Sequence, residues 1–137
     1  MMDTMPTDKQ PMIRVMAMPA DTNSAGDIFG GWIMSQVDLA GSVVAHRYVG
    51  GRVVTVAVNS FAFYQPVFIG DLVSCYADII KVGTTSITIE VAVFAERNKM
   101  ENPVKVTQAV LTYVAVDENR RPTPIKKNVV ESASVVG

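Results

Sequence analysis

The sequence predicts an α+β fold, a single domain in which an antiparallel five-stranded sheet wraps around one long central helix. Three observations predict it. A run of apolar and small residues from Gly30 to His46 carries helical periodicity and a single acid, Asp38. Four longer runs rich in Val, Ile, Thr, Tyr and Phe follow it, separated by turn residues. A short alternating run precedes it. The order is therefore β–α–β–β–β–β.

Taken in order, residues 1–11 contain two prolines, polar side chains and no periodicity, and are expected to be disordered. Residues 12–18, "MIRVMAM", alternate Ile13, Val15 and Ala17 against Arg14 and Met16, and Pro19 closes this short strand. "ADTNSAG" opens a turn-rich loop over 20–29. The helix then runs from residue 30 or 31 to 47, about 25 Å, and ends near Gly50–Gly51. The β-like runs cover 52–64, 71–82, 85–97 and 104–117. Pro66 and Gly70, then Gly83–Thr84, then Asn98 to Pro103 separate them. Short turns between long strands imply an antiparallel meander, with the helix covering one face. Five strands span about 20–24 Å, so the helix is long enough to lie across the whole sheet, as in a hot-dog arrangement. The domain is expected over 12–125, followed by a flexible tail at 126–137.

Composition narrows the function classes. Hydrophobic residues make up 49% of the 137 and charged residues 18%, which is apolar for a domain whose small size leaves much surface wet. That excess points to burial against a second subunit. Twelve basic and 13 acidic residues are spread evenly, with no basic stripe for nucleic acid. No apolar segment approaches a membrane span, and "MMDTMPTDKQPM" is unlike a signal peptide, so a cytoplasmic protein without a membrane partner is expected. One cysteine, Cys75, and one histidine, His46, make neither an intrachain disulfide nor a Cys/His metal cluster.

On a helical wheel Ile33, Val37, Ala40, Gly41, Val44 and Tyr48 fall on one arc facing the sheet. Met34 and Ala45 widen it, while Leu39 and Val43 sit almost opposite, so the helix is expected to be buried on more than one side. Asp38 lies at the edge of the arc, between Ala45 and Ser42, with small neighbours. Two accounts compete for it. A mid-helix aspartate is commonly solvated; yet Asp is a poor helix former, and an acid tolerated among small residues is a candidate general base or nucleophile. Gly26, Gly30 and Gly31 likewise serve either close packing or catalysis. In the second reading, free N–H groups at the positive end of the helix meet a carbonyl that glycine allows to approach. A Gly30–Gly31 amide would then be an oxyanion hole. Asn23 is either a turn residue or a site residue. Gly30 and Asp38 are about 12 Å apart along the helix, too far to hold one carbonyl, so a second copy would complete the site.

"MPADTNSAGDIFGGWIMSQVDLAG", continued by "GRVVTVAVNSFAFYQPVFIGDLVSCYADIIKVGTTSITI" and "VTQAVLTYVAVDENRRPTPI", resembles the YciA-type acyl-CoA thioesterases of the hot-dog superfamily over about residues 15–125. The resemblance implies hydrolysis of acyl-CoA to free acid and CoA, without a metal or other cofactor. It implies Asp38 as the catalytic acid and Asn23 contributed from the facing subunit. The polarising amide falls at Gly30–Gly31. It also implies homodimers assembled as a trimer of dimers. Relatives often carry an Arg in the turn that reads "KVGTTSI" here. With that Arg absent, CoA recognition is expected to fall to Lys81, Thr84, Thr85 and Ser86, with Thr55 as a further substrate contact, and to be weaker or redistributed, because a hydroxyl cannot chelate phosphate as Arg does.

Other candidates are weaker. Ser35, Ser42 and Ser60 lack a G-x-S-x-G elbow. His46 lies well round the helix from Asp38, which argues against both a Ser–His–Asp triad and a dehydratase His–acid pair; it reads as a helix-end residue. Trp32 and the methionines read as core or interface packing, and Cys75 as inert. A non-catalytic acyl-CoA-binding or sensing module is the alternative.

Overall fold

A computed structural model describes residues 2–97 and 102–126. Its elements are β1 (Ile13–Met16), a 3-10 turn (Pro19–Asp21), α1 (Gly30–Val49), β2 (Val53–Phe63), β3 (Leu72–Val82), β4 (Ser86–Glu96) and β5 (Val104–Ala115). The helix runs two residues beyond the predicted end. Gly50 then stops it in a left-handed conformation, φ 72°, with its N–H bonded to the His46 carbonyl. The predicted tail at 126–137 falls outside the described residues except for Lys126.

The five strands form one sheet in the order β1-β3-β4-β5-β2, every pair antiparallel. This corrects the expected meander of four strands. Only β3, β4 and β5 follow one another; β2 stands at the far edge, against β5. The helix is the reason. At about 30 Å it exceeds the ~19 Å between the outer strands of a five-stranded sheet, so it carries the chain from the β1 edge to the β2 edge. Residues 64–71 then bring it back. Their Pro66 and Gly70 suit a loop, not a two-residue hairpin.

That loop is pinned. Buried Asp71 accepts Oδ2 hydrogen bonds from the Phe68 N–H at 2.8 Å and Arg97 Nε at 3.1 Å. The Arg97 guanidinium lies 4.8 Å over the Phe68 ring and donates to the Pro66 carbonyl. A buried carboxylate is stable here because it is paired and hydrogen-bonded.

The core lies between helix and sheet, as the alternation predicts. Ile33, Val37, Ala40, Gly41 and Ala45 are the buried helix residues, while Leu39 and Met34 are exposed. Facing them are the inward side chains of β4 and β5, among them Ile87, Ile89, Leu111 and Tyr113. Trp32 packs half-buried against this core. On the outer face, Met2 and Met5 pack against Tyr76, Ala92 and Phe94, and Lys9 pairs with Asp78 at 3.0 Å. Residues 2–11 thus form no helix or strand but lie along the sheet. β2 is different: it is an edge strand of 11 residues with Val54, Val56 and Val58 exposed. No helix among the described residues is long and apolar enough to cross a membrane.

Candidate active site

Asp38 sits near the middle of α1, half-buried above the row of the sheet where Thr55 of β2 faces Tyr113 of β5. Residues directly opposite on neighbouring strands share a face, and both side chains reach up to the same carboxylate oxygen. The Thr55 hydroxyl donates to Asp38 Oδ1 at 2.7 Å, and the Tyr113 phenol donates to it at 3.0 Å. The phenol also lies 2.9 Å from the Asp38 backbone carbonyl. Oδ2 has no hydrogen-bond partner among the described residues. The small residues beside Asp38 thereby acquire a purpose. A Cβ at Gly41 would meet two Tyr113 ring atoms at 3.1 Å and collide with its oxygen, so glycine alone leaves room for this phenol beneath the helix.

Tyr113 is fully buried. Burial, the Asp38 charge and their hydrogen bond together raise its phenol above the ordinary range, so it stays a donor. Sequence reading passed over it, because a tyrosine in a β-branched strand looks like any core residue. The signal was Gly41, a glycine in the helix stripe facing the sheet.

The helix start is uncapped. Phe29 precedes it without a side-chain cap, and the first turn carries no acid. The Phe29 carbonyl accepts the N–H of Trp32 at 3.1 Å and of Ile33 at 3.4 Å. The Gly30 and Gly31 N–H groups have no acceptor among the described residues, leaving two donors at the positive end of a 20-residue helix. The two glycines face different grooves. Gly31 shares a groove of 260 Å³ with Asp38 and Thr55. Gly30 floors a second groove of 260 Å³ with Ile28, Ile33, Phe63 and the loop 64–67.

Asn23 does not line the Asp38 groove of its own chain. Its Oδ1 accepts the N–H of Ala25 at 2.9 Å and of Asp27 at 3.1 Å, which folds the loop ahead of the helix into a compact turn. Its Nδ2 donates to no group among the described residues. Lys81 and Thr84 are exposed, and Thr85 and Ser86 are partly buried in the β3–β4 turn, which the Gly83 N–H closes on the Ser86 carbonyl at 2.8 Å. Val82, Ile87, Tyr113 and Thr55 lie in register across β3, β4, β5 and β2. The turn is therefore at the same end of the sheet as Asp38, about 14 Å away across three strand spacings. Thr55, expected among the substrate contacts, lines the Asp38 groove with its hydroxyl bonded to Asp38, on the far side of the sheet from that turn.

His46 is exposed at the helix end, its Nδ1 2.6 Å from the Gly51 carbonyl, and is remote from the Asp38 groove. Cys75 is buried, and burial pushes its thiol up to about 12. Among the described residues no three His, Cys, Asp or Glu side chains converge as a metal site.

Comparison with known proteins decides the family. The model of the thioesterase superfamily matches residues 25–101, which include the uncapped glycines, Asp38 and Thr55. This chain belongs to the thioesterase superfamily. Among its relatives in that superfamily, the acyl-CoA thioester hydrolase YciA of Salmonella typhimurium is 48% identical over 118 residues, 83% of this chain and 88% of the relative. The protein of the same name from Escherichia coli strain K12 is 47% identical over 81% of this chain and 86% of its own. Among solved structures, a hexameric hotdog fold thioesterase of Campylobacter jejuni superposes with a TM-score of 0.82 at 44% identity, covering 88% of this chain and 93% of that one. The fold is thus the hot-dog thioesterase fold, as the helix and sheet order required.

Proposed function

We propose that this thioesterase hydrolyses acyl-CoA to a free carboxylic acid and CoA. The observation that carries the proposal is the Asp38 carboxylate, held in a groove through Oδ1 by two hydroxyls, with Oδ2 bonded to no group among the described residues. In this reading Oδ2 takes a proton from a water as that water attacks the thioester carbonyl carbon. The developing oxyanion is met by a glycine amide at a helix start, a contribution commonly worth about 3–4 kcal/mol of barrier. Collapse of the tetrahedral intermediate expels the CoA thiolate, which the Asp38 proton neutralises. The similarity to enzymes named acyl-CoA thioester hydrolases supports the choice of substrate.

The site is shared between two copies. Gly31 and Asp38 line one groove, but seven residues of helix separate them by about 10 Å, whereas a reacting carbonyl needs both groups within roughly 3 Å. A second chain pairing along the exposed edge of β2 would supply the glycine amide, with Asn23 Nδ2 orienting the thioester. An unpaired apolar edge strand favours such pairing. The hexameric state named for the Campylobacter jejuni relative supports further assembly of dimers into a trimer of dimers. Lys81, Thr84, Thr85 and Ser86 are the proposed contacts for the CoA nucleotide, and the single buried cysteine suits a cytoplasmic protein.

Release of free thiol from an acyl-CoA series tests the activity. Asp38→Ala protein that folds, assembles and still turns over at the parent rate would remove Asp38 from the chemistry. CoA binding without any turnover in the parent would leave a binding module instead. Refolding Asn23→Ala with Asp38→Ala chains should recover part of the activity, since a mixed dimer keeps one complete site. A single turnover in heavy-oxygen water should place the label in the product acid; label in Asp38 would make it the nucleophile.

A further inference from the structure

The two grooves at the helix start are divided by a pair of phenylalanines. Phe61 lines the Asp38 groove and Phe63 lines the groove over Gly30. Their ring centroids are 5.0 Å apart, and the Phe63 ring edge stands 3.5 Å from the place a Cβ on Gly30 would occupy. The partition is thus seated on a glycine at the helix start. On one side, the Asp38 groove runs between the helix, which contributes Gly31, Met34, Ser35 and Asp38, and the sheet, which contributes Thr55, Val58, Phe61 and Leu111. On the other side, Ile28, Ile33, Pro66 and Val67 give the second groove an apolar lining of its own. The Asp71–Arg97 pair holds the loop carrying Pro66 and Val67, which line this groove.

We propose that the acyl chain of the substrate lies against Val58, Phe61 and Leu111 on the sheet side of the Asp38 groove, and that the Phe61–Phe63 pair is the stop that limits its length. This rests on the reading of the site as an acyl-CoA hydrolase and adds the determinant of acyl specificity. Behind the two rings lies the second groove, 260 Å³ in volume. Removing either ring joins the two spaces and gives further methylenes an apolar place to bind.

The test is the kcat/KM profile over saturated acyl-CoAs of increasing length, for the parent and for Phe61→Ala and Phe63→Ala. Each additional methylene buried is worth about fourfold, so two or more raise the ratio of long-chain to short-chain kcat/KM by about tenfold or more. Phe61→Leu, which keeps most of the packing, should fall between parent and alanine variant and guards against misfolding. Unchanged length profiles in both alanine variants, with parent-like melting and assembly, would overturn the proposal. Binding of the same series to Asp38→Asn protein reads the length limit without turnover. A parent that binds but does not hydrolyse would therefore sink the enzymatic reading alone. A Kd series with no break along the length series, or one unmoved by Phe61→Ala, would sink the partition alone.

Discussion

Gly41→Ala separates helix stability from the architecture of the site. In an exposed helix interior, replacing glycine by alanine stabilises by about 1 kcal/mol. Here the new methyl would stand 3.1 Å from two atoms of a fully buried ring and collide with the phenol oxygen. The ring cannot swing away, since Tyr113 is held in the core by its strand neighbours and by Asp38. Overpacking of this kind costs about 1–3 kcal/mol, so the helix gain is cancelled or exceeded, and net stability should fall by about 0–2 kcal/mol. Activity should suffer more. Displacing the phenol breaks its bond to a carboxylate, an interaction worth about 1.5–3 kcal/mol, which corresponds to roughly a 10- to 150-fold loss if fully felt in the transition state. Thiol-release kinetics and thermal melting of parent and variant measure both quantities. A Gly41→Ala protein with a raised melting temperature and parent kcat/KM would refute the claim that this glycine seats Tyr113 under Asp38.

Four further outcomes follow from the structure. Tyr113→Phe should keep the fold while lowering kcat by about tenfold or more; unchanged kcat would show that Thr55 alone suffices to hold Asp38. Because the Tyr113 phenol is raised above its ordinary value of 10.0, its contribution to stability is fully present below about pH 10 and is lost as pH rises through the higher folded value. Melting temperature should accordingly fall above pH 10 in the parent and less steeply in Tyr113→Phe. Cys75, buried and pushed up to about 12 from 9.0, should resist a maleimide reagent at pH 8 in the native protein and react at once in denaturant; rapid native labelling would contradict its burial. Val56→Lys places a charge on the exposed edge of β2, where charged side chains block strand pairing. It should yield monomers by light scattering and lose activity with them, whereas intact oligomers would move the dimer contact off this edge.

The amino-acid sequence by itself determined a good deal about this protein. Periodicity alone distinguishes one helix from five strands, because 3.6-residue and two-residue repeats are local properties of the chain. The acid in the apolar helix was visible for the same reason: a charge at the edge of a buried stripe contradicts its surroundings. The uncapped glycines at the helix start were equally legible. What the sequence did not determine was adjacency. Nothing in the strand sequences places β2 beside β5, since that follows from a helix longer than the sheet is wide. Nor does anything local pair Asp38 with Thr55 and Tyr113, which stand 17 and 75 residues away. Only the register across β2 and β5 sets those hydroxyls opposite one another beneath the helix. Gly41 joins the two kinds of information. Its place in the stripe was written in the sequence, while the phenol that needs the missing side chain arrives through tertiary packing.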